Sequence, residues 1–174
     1  MENTRGVSME YTAAVITVSD RCSRGEREDK SGPGLVELLK ADGWDVKYTS
    51  IVPDEIELIA KELLHCSDEL DLGLIVTTGG TGFYTRDVTP EATKAVITRE
   101  APGIPEAMRV ESMKITPKGC LSREAAGLRG GSLIVNTPGS DKASKECLIA
   151  VLPALKHGVG ILRATSSVDC VANK

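Results

Sequence analysis

The sequence predicts an α/β fold: a single domain with a doubly wound, mostly parallel sheet and helices on both faces, a Rossmann-like three-layer sandwich. Short apolar runs rich in Val and Ile alternate with segments of helical period, which is typical of parallel strands joined by helical crossovers. The 174 residues, 41% of them hydrophobic, suffice for one core of ordinary size. We expect the domain at residues 11–165, with a flexible segment at 1–10 and a tail at 166–174.

Four segments are predicted as strands. Residues 13–18, 72–77 and 133–135 are nearly continuous apolar runs, which suit strands covered by helices on both faces. Residues 45–52 instead alternate between apolar and polar side chains. That alternation indicates a strand nearer the edge of the sheet, with one face wetter than the other.

Five helices are expected between and after these strands. Three of them carry apolar side chains at helical spacing: residues 34–41, a stripe that starts at Ile56, and residues 105–115. A fourth opens at Thr89-Pro90-Glu91, with a cap, a proline in the first turn and an early acid. The last helix is predicted to begin at about Asp141.

Composition excludes several classes of function. The net charge of −4 and the aromatic content of 3% argue against a nucleic-acid partner, which needs a basic face or stacking platforms. No apolar run approaches the roughly 18 residues of a membrane-spanning helix, and the first run is too short for a signal peptide, so we expect a cytoplasmic protein without a membrane partner. The five cysteines and two histidines lack the spacing of a zinc or redox site, and free thiols are expected.

Ligands of doubly wound sheets bind at the carboxyl ends of the strands, so the residues that follow each strand are candidates for a site. A glycine-rich loop, TTGGTG, occupies residues 77–82 after the third strand. Glycines allow positive φ and close approach of the backbone, which exposes N–H donors to a phosphate. The loop is neither a Walker P-loop nor a dinucleotide fingerprint, and on its own a plain strand-to-helix turn explains it equally well.

Two acids that follow strands are candidate metal ligands, and each has a structural alternative. Asp87 is suited to hold Mg²⁺ between the protein and phosphate oxygens, but it also fits an ion pair with Arg86 or a cap for the helix that opens near Thr89. Asp54 follows the edge strand, and with Glu57 it has the spacing of a capping box. From the residues alone, both alternatives stay open.

Residues 138–142 follow the fourth strand and combine backbone donors, a hydroxyl and a cation at a predicted helix start. Such a group suits a phosphate, although a Ser or Asp cap explains it nearly as well. Five cations are expected to bring positive charge to the same rim of the sheet: Arg21, Arg24, Arg86, Lys142 and Lys145.

These motifs together resemble those of the molybdopterin adenylyltransferase family, which includes bacterial MogA and MoaB proteins, plant Cnx-type G domains and the gephyrin G domain. TTGGTG at 77–82 with RDVTPEAT at 86–93 is similar to the family's signature loop. Further similar segments follow the family's order over nearly the whole chain: residues 18–21, 29–32, 52–55, 102–109, 121–123, and 138–139 with Lys142.

The resemblance implies a nucleotidyltransferase of molybdenum cofactor biosynthesis. It would use ATP with Mg²⁺ to adenylylate molybdopterin, release pyrophosphate, and supply adenylyl-molybdopterin for later metal insertion. The resemblance also implies a homotrimer and hand-over of the product to a molybdenum insertase. A non-catalytic molybdopterin-binding carrier or scaffold of the same fold is the alternative, and the presence of both acids and of the glycine loop argues against it.

The resemblance also implies roles for individual residues. Asp54 and Asp87 match the two acids on which the family's catalysis depends, and they are the expected Mg²⁺ ligands. The expected substrate- and nucleotide-binding residues are Ser19, Asp20, Gly79, Gly80, Thr81, Gly82, Arg86, Pro138, Gly139, Ser140 and Lys142. The loop at 136–142 departs from the family pattern, since Asp141 adds a carboxylate that would weaken phosphate binding if it pointed inward.

Overall fold

A computed structural model describes residues 11–164, and this part of the chain forms one mixed sheet of six strands. The predicted N-terminal segment at 1–10 and the tail at 166–174 lie outside the described residues. The strands are β1 Thr12–Val18, β2 Asp45–Val52, β3 Leu74–Thr78, β4 Arg99–Glu100, β5 Ala126–Arg129 and β6 Ser132–Thr137.

The strand order is β2-β1-β3-β6-β5-β4. The strands β2, β1, β3 and β6 run parallel, whereas β5 is antiparallel to both of its neighbours. The mostly parallel, doubly wound sheet predicted from the sequence is therefore confirmed. The alternating segment forms the edge strand β2, as expected.

Six α-helices surround the sheet. They are α1 Asp20–Ser23, α2 Ser31–Ala41, α3 Ile56–Leu64, α4 Thr89–Val96, α5 Gly103–Ile115 and α6 Asp141–Arg163. A π-helical turn at His65–Glu69 follows α3, and a 3₁₀ turn at Pro117–Leu121 follows α5. All five predicted helices are present, and the short α1 is an addition to them. Helix α2 begins three residues before the predicted start, because Pro33 falls within its first turn, where proline is tolerated.

The sheet separates two apolar cores, which confirms the three-layer arrangement. Ala13 and Val15 of β1 face one core together with side chains from α2, α5 and α6. Ala14 and Ile16 face the other core, which α3 and α4 cover. Consecutive side chains of a strand point to opposite faces, so a parallel strand covered by helices on both faces buries all its side chains, as in β1. No helix in the described part of the chain is long and apolar enough to cross a bilayer.

Two short strands, β4 and β5, were missing from the prediction. β4 has only two residues, both exposed, and β5 has the sequence AGLR, so neither carries an apolar run. In β5, a side chain at Gly127 would lie 2.6 Å from the carbonyl oxygen of Arg99, which explains a glycine within that strand. Residues 130–131 form the two-glycine turn between β5 and β6, and Gly130 has a φ of +52°. Such a Gly-Gly pair between two strands is a hairpin signal that the prediction did not use.

A buried polar network ties the middle of the sheet to α4. The side-chain amide of Asn136 donates to Thr77 Oγ1 at 3.0 Å and to Thr93 Oγ1 at 2.8 Å. Its carbonyl oxygen accepts from the backbone N–H of Ala125 at 3.2 Å. Since Asn136 is fully buried, all three bonds satisfy groups that water does not reach.

Candidate active site

A cavity of about 870 Å³ opens at the carboxyl ends of β1, β3 and β6. The chain passes from β1 outward to β2 and then returns to β3 on the other side of β1, so this edge is where the strand order reverses. Ligands of open α/β sheets bind at such a point. A second cavity of about 940 Å³ lies between α2 and the edge strand β2, away from the glycine loop.

The glycine loop follows β3 and forms the floor of the 870 Å³ cavity. Gly79 and Gly80 have φ values of +105° and +64°, a region that favours glycine. A Cβ atom at Gly79 would lie less than 3.0 Å from the carbonyl oxygen of Val18, closer than real Cβ atoms come. A Cβ atom at Gly80 would meet Thr89 Oγ1 and, at 3.1 Å, a carboxylate oxygen of Asp54. Close packing against β1 and α4 therefore requires both glycines.

The loop offers backbone donors to the cavity. No acceptor within residues 11–164 receives the amide N–H of Gly80, Thr81 or Gly82. Two longer helices begin at the same cavity, α2 at Ser31 and α6 next to its N-cap Ser140. Unpaired amides and helix N-termini both favour anions, so this floor is suited to a phosphate group.

Asp54 is held at the cavity by two reciprocal hydrogen bonds. Its Oδ2 atom accepts from the backbone N–H of Asp20 at 2.7 Å, and its own N–H donates to Asp20 Oδ1 at 3.1 Å. Burial raises the pKa of the Asp54 carboxyl above its ordinary value, and the negative charges of Asp20 and Asp87 raise it further, against the hydrogen bond from Asp20. A buried acid of this kind gains from a cation or a hydrogen-bond donor in the cavity.

Arg86 and Asp20 form a bidentate ion pair beside Asp54. The guanidinium Nε and Nη2 atoms of Arg86 lie 2.9 Å and 2.7 Å from the two carboxylate oxygens of Asp20. The hydrogen bonds from Arg86 hold the pKa of the Asp20 carboxyl below its usual range. The pair connects the glycine-loop segment after β3 with the ends of β1 and β2.

Asp87 lines the cavity at the far end of the glycine loop. Its Oδ2 atom accepts from the backbone N–H of Tyr84 at 3.0 Å, and a Cβ atom at Gly82 would lie 2.7 Å from the same oxygen. Arg123 holds this segment from outside, since it donates to the carbonyl oxygen of Gly82 at 2.8 Å and also to that of Asp87. The position of the Asp87 carboxylate is thus fixed by its own turn and by one arginine.

The acids at the cavity suit a hard divalent cation better than a zinc site. Within residues 11–164 no group of three or more His, Cys, Asp or Glu side chains is placed to hold a metal ion. Asp54 and Asp87 both line the cavity, and the charge of Asp87 raises the pKa of Asp54. Mg²⁺ is typically bound by one or two carboxylates together with substrate phosphates and water, so this donor set fits it.

The sequence of the chain matches a known family over most of its length. The profile of a family described as a probable molybdopterin binding domain matches residues 14–157. The chain belongs to this family. Two relatives named molybdopterin adenylyltransferase, from Helicobacter pylori strain J99 and Escherichia coli K12, are 46% and 40% identical to it. The alignment with the Helicobacter protein covers 85% of this chain and 85% of that protein. The alignment with the Escherichia coli protein covers 83% of this chain and 77% of that protein.

A solved structure supports the same assignment. The molybdopterin biosynthesis enzyme MoaB from Thermus thermophilus has a crystal structure, and its sequence is 43% identical to that of this chain. The two structures superpose with a TM-score of 0.83, and the match covers 87% of this chain and 96% of that one. The fold and the family predicted from the sequence are therefore confirmed.

Most of the predicted site residues lie at one cavity. Ten line it: Ser19, Asp54, Gly79, Gly80, Thr81, Gly82, Asp87, Pro138, Gly139 and Ser140. Asp20, Arg86 and Lys142 do not. Asp20 and Arg86 bind each other, and the Lys142 ammonium lies 3.7 Å from Glu146 on the exposed side of α6. The positions of Asp20 and Arg86 support a role next to the ligand site. The position of Lys142 does not support contact with a ligand.

The structural alternatives for the two acids are wrong. Helix α3 has Glu55 as its N-cap, without a side-chain cap, so Asp54 does not form the capping box. Helix α4 has Val88 as its N-cap, and Asp87 neither caps it nor pairs with Arg86. The predicted cap at the Thr89 opening is also wrong, because the Thr89 hydroxyl donates to the carbonyl oxygen of Gly79 at 2.9 Å.

The five cations expected to bring positive charge to the rim do not line the cavity. Four of the five predicted cations pair with acids: Arg24 with Glu26, Arg86 with Asp20, Lys142 with Glu146 and Lys145 with Asp141. None of the five, Arg21 included, lines the cavity. Its cations are instead Arg27, Lys30 and Lys118. Asp141 is itself ion-paired with Lys145 at 2.8 Å and is not part of the lining, so its carboxylate does not oppose a phosphate there.

Several residues at the site were not among the predicted ones. Asp29 accepts from Thr17 Oγ1 at 2.6 Å and from the N–H of Gly32 at 3.0 Å, which ties the start of α2 to β1. Ser122, Phe83 and Tyr84 line the cavity, and Arg123 holds the glycine loop. The matching segments at 29–32 and 121–123 were the available signal for Asp29, Ser122 and Arg123. The aromatic pair lies between the two halves of the signature loop.

Proposed function

We propose that the chain transfers an adenylyl group from ATP to molybdopterin and releases pyrophosphate. The observation that carries the proposal is the pair Asp54 and Asp87 at one cavity, on either side of a glycine loop with unpaired amides. Bacterial relatives that are 46% and 40% identical to the chain are named molybdopterin adenylyltransferase, which supports this activity. The cavity volume of about 870 Å³ lies within the range of typical ligand sites, roughly 300–1,000 Å³.

In the proposed reaction a phosphate oxygen of molybdopterin attacks the α-phosphorus of ATP. A new P–O bond forms there, the bond from the α-phosphorus to the bridging oxygen breaks, and pyrophosphate leaves with that electron pair. Such a transfer needs little covalent chemistry from the protein and depends on positioning and on charge stabilisation. The amides of Gly80, Thr81 and Gly82 and the N-termini of α2 and α6 would orient the phosphates.

The acids would act through Mg²⁺ and through orientation. Asp87 and Asp54 would hold the cation, which when bound supplies positive charge against the phosphate oxygens. The hydrogen bond from the Tyr84 N–H to the Asp87 carboxylate and the one from Arg123 to the Asp87 carbonyl oxygen keep the carboxylate in one position. The Asp20 backbone does the same for Asp54. Residues that fix geometry in this way reduce the reorganisation needed at the moment of reaction.

The sequence resemblance also implies features of the protein's setting. We propose a homotrimer, a cytoplasmic location and hand-over of adenylyl-molybdopterin to a molybdenum insertase, in line with the family to which the chain belongs. Analytical ultracentrifugation tests the trimer, because a monomer at about the mass of one chain, 18.5 kDa, would contradict it.

Pyrophosphate release tests the proposed activity. Wild-type protein with ATP, Mg²⁺ and molybdopterin is expected to release pyrophosphate, and omission of molybdopterin or chelation of Mg²⁺ is expected to stop it. Asp87→Asn should lower the rate by about a hundredfold or more, because the amide would hold Mg²⁺ against the reacting phosphates much more weakly than the carboxylate. Asp141→Asn is the matched control, since this acid follows the cavity-lining Ser140 but is not itself part of the lining. Tight molybdopterin binding without any release would leave the carrier function instead.

A further inference from the structure

The chain has few aromatic residues, and two of them lie side by side at the cavity. It contains one Phe, one Trp and three Tyr residues. Tyr11 packs edge-on against Trp44, and Tyr48 packs edge-on against His65, with ring centroids 5.4 Å apart in each pair. The remaining two rings belong to Phe83 and Tyr84. Neither has a ring partner within residues 11–164, and both line the 870 Å³ cavity.

Both rings are unusually exposed. Phe83 is 70% exposed and Tyr84 is 82% exposed, whereas Trp44 is only 2% exposed. Aromatic rings gain free energy when they leave water and stack on another flat ring system. Two neighbouring exposed rings at the wall of a ligand cavity are therefore placed for a ligand, and their exposure is not a requirement of the fold.

The backbone that carries the rings is fixed. Tyr84 donates its N–H to Asp87 Oδ2 at 3.0 Å, and its carbonyl oxygen accepts from the Asp87 N–H at 2.9 Å. The turn that positions the Asp87 carboxylate thus also positions the two rings. They stand next to the unpaired amides at Gly80 to Gly82, so a ligand whose phosphate lies on those amides has its flat ring near the wall.

We propose that Phe83 and Tyr84 form an aromatic platform on which a planar heterocycle of a substrate stacks. The inference rests on the proposed function, which supplies two such heterocycles, the purine of ATP and the pterin of molybdopterin. Stacking needs only a flat π-face and is the chemistry that the two share. The platform makes these side chains binding residues, separate from the acids that act on the phosphates.

Direct titration of ligands distinguishes stacking on the aromatic ring from simple burial of apolar area. Mg-ATP, molybdopterin and Mg-triphosphate, which has no ring, are each titrated into wild-type protein and into Tyr84→Leu, Phe83→Leu and the conservative control Tyr84→Phe. A leucine keeps apolar area but cannot stack. At least one leucine variant is expected to bind one heterocyclic ligand about tenfold more weakly, with triphosphate unchanged. Tyr84→Phe is expected to bind like the wild type, and the ligand that loses affinity identifies which heterocycle stacks.

The outcomes distinguish this inference from the proposed activity. If wild type releases no pyrophosphate but a leucine variant loses affinity for a heterocyclic ligand, adenylyl transfer fails and the platform stands. If both leucine variants bind ATP and molybdopterin within twofold of wild type, the platform is overturned, whatever the activity. An equal loss for triphosphate would overturn it as well, since the effect would then not depend on a ring. Thermal unfolding confirms that each variant is folded, which the exposure of both rings predicts.

Discussion

Replacement of Gly79 by alanine tests how the glycine loop is built. Gly79 has a φ of +105°, which alanine adopts only with strain, and such strain costs about 1–3 kcal/mol. In addition, the new Cβ atom would lie less than 3.0 Å from the carbonyl oxygen of Val18, so the backbone at position 79 or at Val18 would have to move. We expect Gly79→Ala to lower the free energy of unfolding by about 2–4 kcal/mol in total.

Gly158→Ala is the matched control for this substitution. Gly158 lies within α6, and a Cβ atom there would meet nothing within 4 Å. Alanine is the better helix former, so the control should stabilise the protein by roughly 0.5–1 kcal/mol. The two Gly→Ala changes are therefore expected to have opposite signs.

Chemical denaturation and thermal unfolding measure both variants. For a chain of this size, 1 kcal/mol shifts the melting temperature by roughly 2–4 °C, so Gly79→Ala should unfold about 5–15 °C lower. Gly158→Ala should unfold slightly higher than wild type. If Gly79→Ala instead stays within about 0.5 kcal/mol of wild type, the left-handed conformation and the close approach to β1 are not required, and the account of the loop is refuted.

Three further perturbations test other parts of the account. The folded pKa of Asp54 lies above its ordinary value, so its contribution favours folding at low pH and is lost as the pH rises through the raised pKa. Asp54→Asn should therefore raise the melting temperature at pH 8, and the gain should shrink towards pH 4; an equal gain at both would contradict this. Asn136→Ala removes three buried hydrogen bonds and should cost about 2–4 kcal/mol by urea unfolding, whereas a loss under 1 kcal/mol would indicate that water replaces them. Burial raises the pKa of Cys66 to about 12 and of Cys147 to about 11, so a thiol reagent at pH 8 should modify neither before unfolding, which peptide mass spectrometry shows.

The sheet and the helices were largely predictable because their signals are local. β1 and β3 are buried on both faces and consist mostly of apolar residues, so their sequences stand out. β5 gains its stability from pairing with β6, and β4 from pairing with β5, whereas the two-residue strand Arg99–Glu100 carries no apolar pattern of its own. Strands of this kind are specified by distant partners, which periodicity does not report.

The two acids of the site, Asp54 and Asp87, show the same limit of prediction from local sequence patterns. The capping-box spacing at Asp54 favoured a local role, and the spacing of Asp87 to α4 did so as well. In the fold, the backbone of Asp20, 34 positions before Asp54, accounts for the Asp54 hydrogen bond instead. The family motifs singled out both acids, and both line the cavity. The positive charge expected at the rim was predicted from the positions of the cations near the strand ends, and ion pairs with neighbouring acids offset the charge of four of them.

The transfer of the adenylyl group itself tests the central claim most directly. ATP labelled at the α-phosphate is incubated with Mg²⁺, molybdopterin and either wild type or Asp87→Asn, and the label in the separated pterin product is counted. We predict that the label appears in the pterin fraction in equal amount to released pyrophosphate, and that Asp87→Asn nearly abolishes both. Label that stays in nucleotide while wild type still binds molybdopterin would contradict the account and indicate a carrier.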